Sequence, residues 1–438
     1  MLSKAGNISF REKFGFYVFV AVVIWNLLIS LVKGWNGVYS WIFSNWMMSY
    51  EWGFTKRAVI GEVTSWIGVP PESYYSVILW TGLCNLVVLL CTACWLMVKM
   101  ENTSLGCTSR IVLLMFSVSP FISMSANLIG YLDFFIYLGG ILAIFMVHRK
   151  LQILGSVLVA GLMFVHEMTL LLIYPLFFIS LIMVWNFDEE SIVKNINWKF
   201  FFSAVLPLFG FLFVILFQTD VSKKPGFEKD FVIPLAQAVS YEFSGPEAYE
   251  SSISAARYFV SQLFTSYDMY LEDEFKKGLA RIVEPADLFV VFWFLSVVYL
   301  IVWNVLRSAP YRNLLAGLAF LSVLSPILLH FIAYDTPRFW TMPIMLGLLL
   351  IWVVSHRRKF TIEPGQRFLI ELLAILGMAY YIGMKTYVMV GVDVYLYYDE
   401  RYIKYAPALI LAGYYMYRRY AFDLIQVETD IGSQNQSL

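Results

Sequence analysis

The sequence predicts an all-α polytopic membrane protein with about twelve transmembrane helices. Of its 438 residues, 60% are apolar and only 14% are charged, against roughly 25% charged residues in an ordinary soluble domain. Apolar runs long enough to span a bilayer recur along the chain, and a backbone inside lipid must satisfy its own hydrogen bonds as a helix. Because the formal net charge is also zero, these observations exclude a soluble enzyme, a disordered protein and a nucleic-acid binder attracted by bulk charge.

The apolar windows give the position of each predicted span. They cover residues 14–32, 76–98, 111–129, 131–147, 151–166, 168–186, 200–217, 288–306, 313–332, 339–355, 368–390 and 403–417. The first window is long and no small-residue cleavage site follows it, so we expect a retained helix rather than a signal peptide. The pattern therefore predicts one polytopic membrane domain over residues 1–423 and a polar cytoplasmic tail over residues 424–438.

Basic residues predict the orientation in the membrane. An even number of spans places both termini on one side, and short basic connections such as Arg149-Lys150 and Arg357-Arg358-Lys359 occur at alternate loops. Cytoplasmic loops are enriched in lysine and arginine, so we expect these connections and both termini in the cytoplasm. The inner segments then carry 17 basic and 10 acidic residues, which leaves 14 basic and 21 acidic residues outside. The sequence thus predicts an acidic outer face with two long loops, residues 33–75 and 218–287.

The first long outer loop contains two predicted interfacial helices with charged residues between them. Residues 37–50 are rich in tryptophan and methionine but too short to span, and residues 57–69 repeat apolar side chains at helical spacing. Glu51, Lys56 and Arg57 lie at the junction. One acid beside two bases at a gap between interfacial helices is suited to binding a lipid headgroup or a phosphate. The alternative is a loop acid and two bases that extend to the lipid headgroups.

Two further outer connections carry ionisable residues among apolar neighbours. Asp133 begins the predicted fourth span, where it is a candidate for a general base facing a cavity or for a helix N-cap. His166 and Glu167 lie at the turn between the fifth and sixth spans. An ionisable pair is costly in lipid, so we expect both side chains to face protein or water and count them as catalytic candidates.

The last two outer connections supply the remaining candidates. Arg338 follows Asp335 between the ninth and tenth spans, and a planar guanidinium there could clamp a phosphate or simply anchor at the headgroups. Asp335 is a candidate sugar-binding residue or a cap of the tenth helix. Tyr398 and Asp399 lie in an acidic, tyrosine-rich loop, which suits sugar binding and also suits plain anchoring at the interface.

The layout of charged outer loops resembles the GT-C type of membrane glycosyltransferases, including oligosaccharide repeat-unit polymerases of the Wzy kind in bacterial surface-polysaccharide pathways. The segment Gly53-Phe-Thr-Lys-Arg-Ala-Val-Ile-Gly61 is similar to a Gly-Phe-x-[Arg/Lys]-Arg-Gly-Leu-x-Gly run in members of polysaccharide clusters, with Ala58 in place of a glycine. The resemblance implies an enzyme of the cytoplasmic (inner) membrane that takes sugars from a polyprenyl phosphate or diphosphate carrier on the outer face. Its expected partners are the lipid-linked oligosaccharide and membrane lipid. A chain-length regulator or a flippase is a further possible partner, and no nucleic acid is expected.

The resemblance implies roles for the outer residues. Asp133, with Glu51, Glu167 or His166 as alternatives, would deprotonate the acceptor hydroxyl. Arg57, Lys56 and Arg338 would bind the phosphate, because fixed cations in a dry site contribute most where negative charge develops. No protein cofactor is indicated, although a divalent metal ion is compatible with such a site.

Two other function classes stay open from the sequence. A lipid-linked oligosaccharide flippase or transporter would place ionisable groups near mid-span, often on broken helices. A membrane acyltransferase that modifies a surface polysaccharide would need a histidine close to arginines, and His166 has no arginine nearby in sequence.

Overall fold

A computed structural model describes residues 10–35, 37–101, 105–185, 198–219, 221, 224–242, 247–264, 285–309, 311–331, 336–355, 360–383 and 405–420. All regular secondary structure within these ranges is helical. The helices are α1 (Phe10–Gly34), α2 (Ser40–Met47), α3 (Ala58–Ile67), α4 (Tyr74–Glu101), α5 (Cys107–Ser117), α6 (Pro120–Asn127), α7 (Asp133–His148), α8 (Gln152–Val165), α9 (Thr169–Leu172), α10 (Tyr174–Trp185), α11 (Trp198–Phe217), α12 (Ile233–Val239), α13 (Ala248–Phe264), α14 (Pro285–Val305), α15 (Arg312–Leu324), α16 (Thr336–Ser355), α17 (Pro364–Gly383) and α18 (405–420).

The helices confirm the prediction of an all-α polytopic membrane protein. Among the described residues, seven helical segments are long and apolar enough to cross a bilayer, and the α5–α6 pair, bent by 42° at its break, makes an eighth. The helices α7, α8 and α10 are apolar but shorter. A helix or a helix pair occupies each of the twelve predicted windows, while the number of crossings and the location of the termini stay predictions.

Helix α16 forms the centre of the bundle. Its segment Arg338–Ser355 is wholly buried, whereas only about a fifth of the corresponding windows of α1 and α11 is buried. The helices α14, α15, α10, α6 and α4 pack around α16, so its apolar side chains face protein on every side. Consequently Arg338, at the start of this helix, lies inside the protein rather than at a lipid-facing headgroup position.

Contacts between connections sort into two sets, as alternating crossings require. On the side predicted to be outer, the Trp46 indole donates to the Gly130 carbonyl at 2.7 Å, and the Thr219 amide donates to the Phe54 carbonyl at 2.8 Å. On the side predicted to be inner, Arg307 pairs with Glu363. No sequence pattern encodes these pairings, yet each contact joins connections that are predicted to lie on the same side.

The interfacial helices of the first outer loop form as expected, with shorter bounds. Helices α2 and α3 pack so closely that a side chain on Gly61 would lie 1.8 Å from the Met48 carbonyl oxygen, and the Thr64 hydroxyl donates to the Trp46 carbonyl at 2.7 Å. Val63, Trp66 and Ile67 on the opposite face of α3 are exposed. The α2–α3 unit thus rests on the protein and presents an apolar face outward, as an interfacial helix does.

Candidate functional site

The candidate site begins at Arg57, immediately before α3. Arg57 adopts a left-handed backbone conformation with φ 67°, which is uncommon for a residue with a side chain and which clusters at functional sites. The preceding turn is fixed by the second outer loop, because Phe54 accepts hydrogen bonds from both the amide and the hydroxyl of Thr219. Held in this way, Arg57 extends toward the turn between α8 and α9.

Glu167, in that turn, contacts two cationic side chains of the first outer loop. The Arg57 guanidinium binds both carboxylate oxygens, with Nη2 at 2.5 Å from Oε1 and Nε at 3.1 Å from Oε2. Lys56 Nζ lies 3.7 Å from Oε1. Lys56 and Glu167 are both more than nine-tenths buried, whereas Arg57 is about a quarter exposed. The bidentate pair joins two parts of the chain that are 110 residues apart.

His166 contacts the same carboxylate as a neutral imidazole. Its Nδ1 accepts a hydrogen bond from the Met168 amide at 3.1 Å, so that nitrogen carries no proton, and its 3.2 Å separation from Glu167 Oε2 is not an ion pair. Burial lowers the pKa of His166, and the positive charge of Arg57 lowers it further, against the opposing effect of Glu167. His166 therefore stays neutral at physiological pH, with its proton on Nε2.

Burial and neighbouring charges shift the pKa values of Glu167 and Lys56. Burial alone would raise the pKa of Glu167, but Arg57 and the other cationic neighbours outweigh it and hold that pKa well below its ordinary value. Burial lowers the pKa of Lys56, and Glu167 opposes that shift. Glu167 is thus a fixed carboxylate, which disfavours it as a general base because a base must accept a proton.

Asp133 and Arg338 form a second buried pair. Arg338 Nε lies 3.0 Å from Asp133 Oδ2, and both side chains are more than nine-tenths buried. Asp133 is the first residue of α7 and Leu132 occupies the N-cap position, so the N-cap alternative is not what the structure shows. Asp133 Oδ1 has no hydrogen-bond partner among the described residues, which leaves one carboxylate oxygen available for a ligand.

Met168 and Arg338 connect the two pairs into one site. The Arg338 guanidinium donates from Nη2 to Met168 Sδ at 2.9 Å, and it lies over the rings of Tyr131 and Phe339 at 4.6 and 5.3 Å. With His166 neutral, the three cations and two carboxylates of the site leave a net charge of +1. A site with one surplus cation in a low-dielectric surrounding favours an anionic ligand.

A narrow pocket opens beside Asp133. It is lined by residues of α6, α7 and α16, and Tyr131 is the one part-exposed residue among the eleven that line it. The volume open to the centre of a water molecule is about 20 Å³. One bound water needs ~10–15 Å³ by the same measure. The pocket therefore admits a single small polar group, and a sugar ring would have to stay at its opening near Tyr131.

The structure brings six of the predicted site residues together: Lys56, Arg57, Asp133, His166, Glu167 and Arg338. Glu51 lies on an exposed turn, and none of the ion pairs of the site includes it. Asp335, Tyr398 and Asp399 lie outside the described residues. Within the described ranges, no group of three histidine, cysteine or acidic side chains is arranged to hold a metal ion.

Sequence reasoning missed two members of the site. Met168 carries no charge, and nothing in its sequence context indicates a hydrogen bond to an arginine. Tyr137 lies within an apolar span, but its spacing from Asp133 is i, i+4, which places both on one face of α7. That spacing was readable from the sequence. No protein-family model, curated protein or solved structure matches the chain, so the site is interpreted from its own chemistry.

Proposed function

We propose that this protein is a membrane glycosyltransferase or polysaccharide polymerase that uses a polyprenyl-phosphate or -diphosphate sugar at the outer face of the cytoplasmic membrane. One observation carries the proposal. Charged residues from four separate connections, all predicted to lie on the outer side, converge on one buried cluster that combines surplus positive charge with a carboxylate that lines a pocket. Buried charges are costly, and their convergence at one face of an apolar bundle favours an anionic substrate that arrives from the lipid.

The phosphate end of the donor would bind at Lys56 and Arg57. Arg57 is the most exposed cation of the cluster, and it lies at the start of α3, whose opposite face presents Val63, Trp66 and Ile67 outward. A polyprenyl tail can lie along such an apolar face while its phosphate reaches the guanidinium. As the sugar–phosphate bond breaks, the fixed cations stabilise the charge that grows on the departing phosphate.

Asp133 would act as the general base. The acceptor O–H bond breaks with transfer of its proton to Asp133 Oδ1, and the acceptor oxygen forms the new bond to the anomeric carbon. The bond between that carbon and the phosphate oxygen breaks, and its electron pair stays on the lipid phosphate. Arg338 Nε lies 3.0 Å from the other carboxylate oxygen of Asp133, and its positive charge keeps the base ionised and ready to accept the proton.

Acyl transfer to a surface polysaccharide is the second candidate function. It needs a neutral histidine close to an arginine, and the structure supplies this pair because Arg57 and His166 both contact Glu167. That reaction would require His166, and His166→Gln would abolish activity. In glycosyl transfer we expect His166→Gln to retain activity, since Asp133 is the general base.

Deletion of the gene, followed by electrophoresis of the surface polysaccharide, tests the proposal. Loss of the ladder with one repeat unit retained indicates a polymerase, and loss of all polysaccharide points to an assembly transferase or a flippase. Plasmid-borne Asp133→Asn should fail to restore the ladder. The matched control is Glu371→Gln, which changes an equally buried acid paired with Arg419 at the opposite side of the bundle and should restore it. An unchanged ladder in the deletion strain would reject the polymerase assignment.

A further inference from the structure

Tyr137 is a buried polar group that the proposed reaction has not used. It lies on α7 four residues after Asp133 and is 2% exposed. Its hydroxyl, like Asp133 Oδ1, has no hydrogen-bond partner among the described residues. Buried polar atoms are nearly always hydrogen-bonded, so two such atoms in one place indicate that a ligand supplies the missing partner.

Both atoms belong to residues that line the same pocket. Positions i and i+4 lie on the same face of a helix, so a ligand oxygen that enters the pocket meets both side chains and needs to donate one hydrogen bond and accept another. A hydroxyl group has this capacity, because it carries one proton and two lone pairs. The carboxylate can only accept and the phenol can donate, so a bound hydroxyl would satisfy both.

The walls of the pocket limit what else can enter. Phe121, Met124 and Leu128 are apolar and buried, and the free space suits about one water molecule. A phosphate group is larger than this free space, and the Asp133 carboxylate in the lining repels its negative charge. Phosphate binding therefore belongs to Lys56 and Arg57, on the other side of the Met168–Arg338 contact.

We propose that the pocket between Asp133 and Tyr137 is the acceptor-hydroxyl subsite, separate from the phosphate subsite at Lys56 and Arg57. The proposal rests on the proposed glycosyl transfer. The acceptor hydroxyl donates to Asp133 Oδ1 and accepts from the Tyr137 hydroxyl, while the acceptor ring stays near Tyr131. Transfer moves the acceptor proton to Asp133 and joins the acceptor oxygen to the sugar carbon as the bond to the lipid phosphate breaks. Tyr137 is thus a binding residue for the acceptor.

Steady-state kinetics on the purified full-length protein tests this division. The donor is the lipid-linked repeat unit isolated from the deletion strain, and the acceptor probe is the same oligosaccharide freed from its lipid. Tyr137→Phe removes one hydrogen bond to the acceptor and should raise the acceptor KM about five- to tenfold, with the donor KM unchanged. Arg57→Ala should give the reverse pattern.

Two further variants separate binding from folding. Tyr381→Phe removes another buried tyrosine hydroxyl, one that donates to the Val290 carbonyl at 2.8 Å, and should leave both KM values unchanged. Ser125→Val narrows the same pocket from α6 and should also raise the acceptor KM while the donor KM stays unchanged. This second variant tests the subsite if Tyr137→Phe does not fold into the membrane.

The outcomes distinguish the two proposals. A normal acceptor KM in Tyr137→Phe, or an increase in the donor KM instead, overturns the acceptor subsite while glycosyl transfer stands. If the wild-type protein forms no glycosidic bond from these substrates, the proposed function fails and the subsite fails with it.

Discussion

At the scale of single residues, Glu167 organises the candidate site. It accepts Arg57 through both oxygens, lies 3.7 Å from Lys56 and contacts His166. Lys56 and His166 are both more than nine-tenths buried, so contact with this carboxylate takes the place of contact with water. Its lowered pKa means that this role persists throughout the physiological range.

Removing the charge of Glu167 should destabilise the protein. Glu167→Gln removes the carboxylate that pairs with Arg57 and the buried Lys56, and loss of one partner of a buried ion pair typically costs about 3 kcal/mol, so the thermal midpoint in detergent should fall by several degrees. Glu363→Gln is the matched control, because its pair with Arg307 is more than half exposed and such pairs contribute about 0–1 kcal/mol. Equal midpoints for the two variants would contradict the structural role of Glu167.

His166 should make stability depend on pH. Burial and Arg57 lower its pKa in the folded protein, whereas histidine in an unfolded chain titrates near about pH 6.5. Below that pH the unfolded chain binds more protons than the folded one, so stability falls as pH falls. We expect a lower thermal midpoint at about pH 5.5 than at about pH 7.5, and a smaller difference in His166→Gln. An undiminished difference in that variant would assign the pH dependence to another group.

At the scale of elements, the α2–α3 unit positions the phosphate-binding residues. Gly53 adopts φ 121° at the turn before Lys56 and Arg57, and Gly61 permits the contact between α3 and the Met48 carbonyl. Both glycines belong to the segment of residues 53–61. The two glycines thus shape the segment that carries Lys56 and Arg57.

Gly61→Ala should disturb the site without touching a charged residue. The added Cβ would lie 1.8 Å from the Met48 carbonyl oxygen, so α3 must move and carry Arg57 away from Glu167. We expect less folded protein and a lower thermal midpoint. The same substitution at Gly161 in α8 meets nothing within 4 Å and should be neutral or slightly stabilising. Similar behaviour of the two alanine variants would contradict the tight packing of α2 on α3.

At the scale of the whole molecule, the sequence identifies the charged connections but not their pairings. Alternating spans place Lys56, Asp133, Glu167 and Arg338 on one predicted side, which is why the cluster was expected. Apolar periodicity carries no information about which spans are neighbours, and so the contacts of Glu167 with Arg57 and of Asp133 with Arg338 could not be predicted. Tyr137 was missed because hydropathy treats a tyrosine in an apolar run as part of the core.

The predicted topology is itself testable by cysteine labelling. In a background without the four native cysteines, Glu51→Cys and Arg149→Cys introduce thiols at exposed positions of connections predicted to be outer and inner. A membrane-impermeant maleimide applied to intact spheroplasts should label the first variant, and it should label the second only after permeabilisation. Labelling of both from outside would contradict the alternating topology.

Reconstitution of the purified protein in liposomes tests the central claim most directly. The vesicles contain the lipid-linked repeat unit, and mass spectrometry follows the formation of new glycosidic bonds. We expect the wild-type protein and Glu371→Gln to form these bonds, whereas Asp133→Asn, in which an NH2 group replaces one carboxylate oxygen, forms none above background. Full activity in Asp133→Asn, or movement of the lipid across the bilayer without any new glycosidic bond, would contradict it.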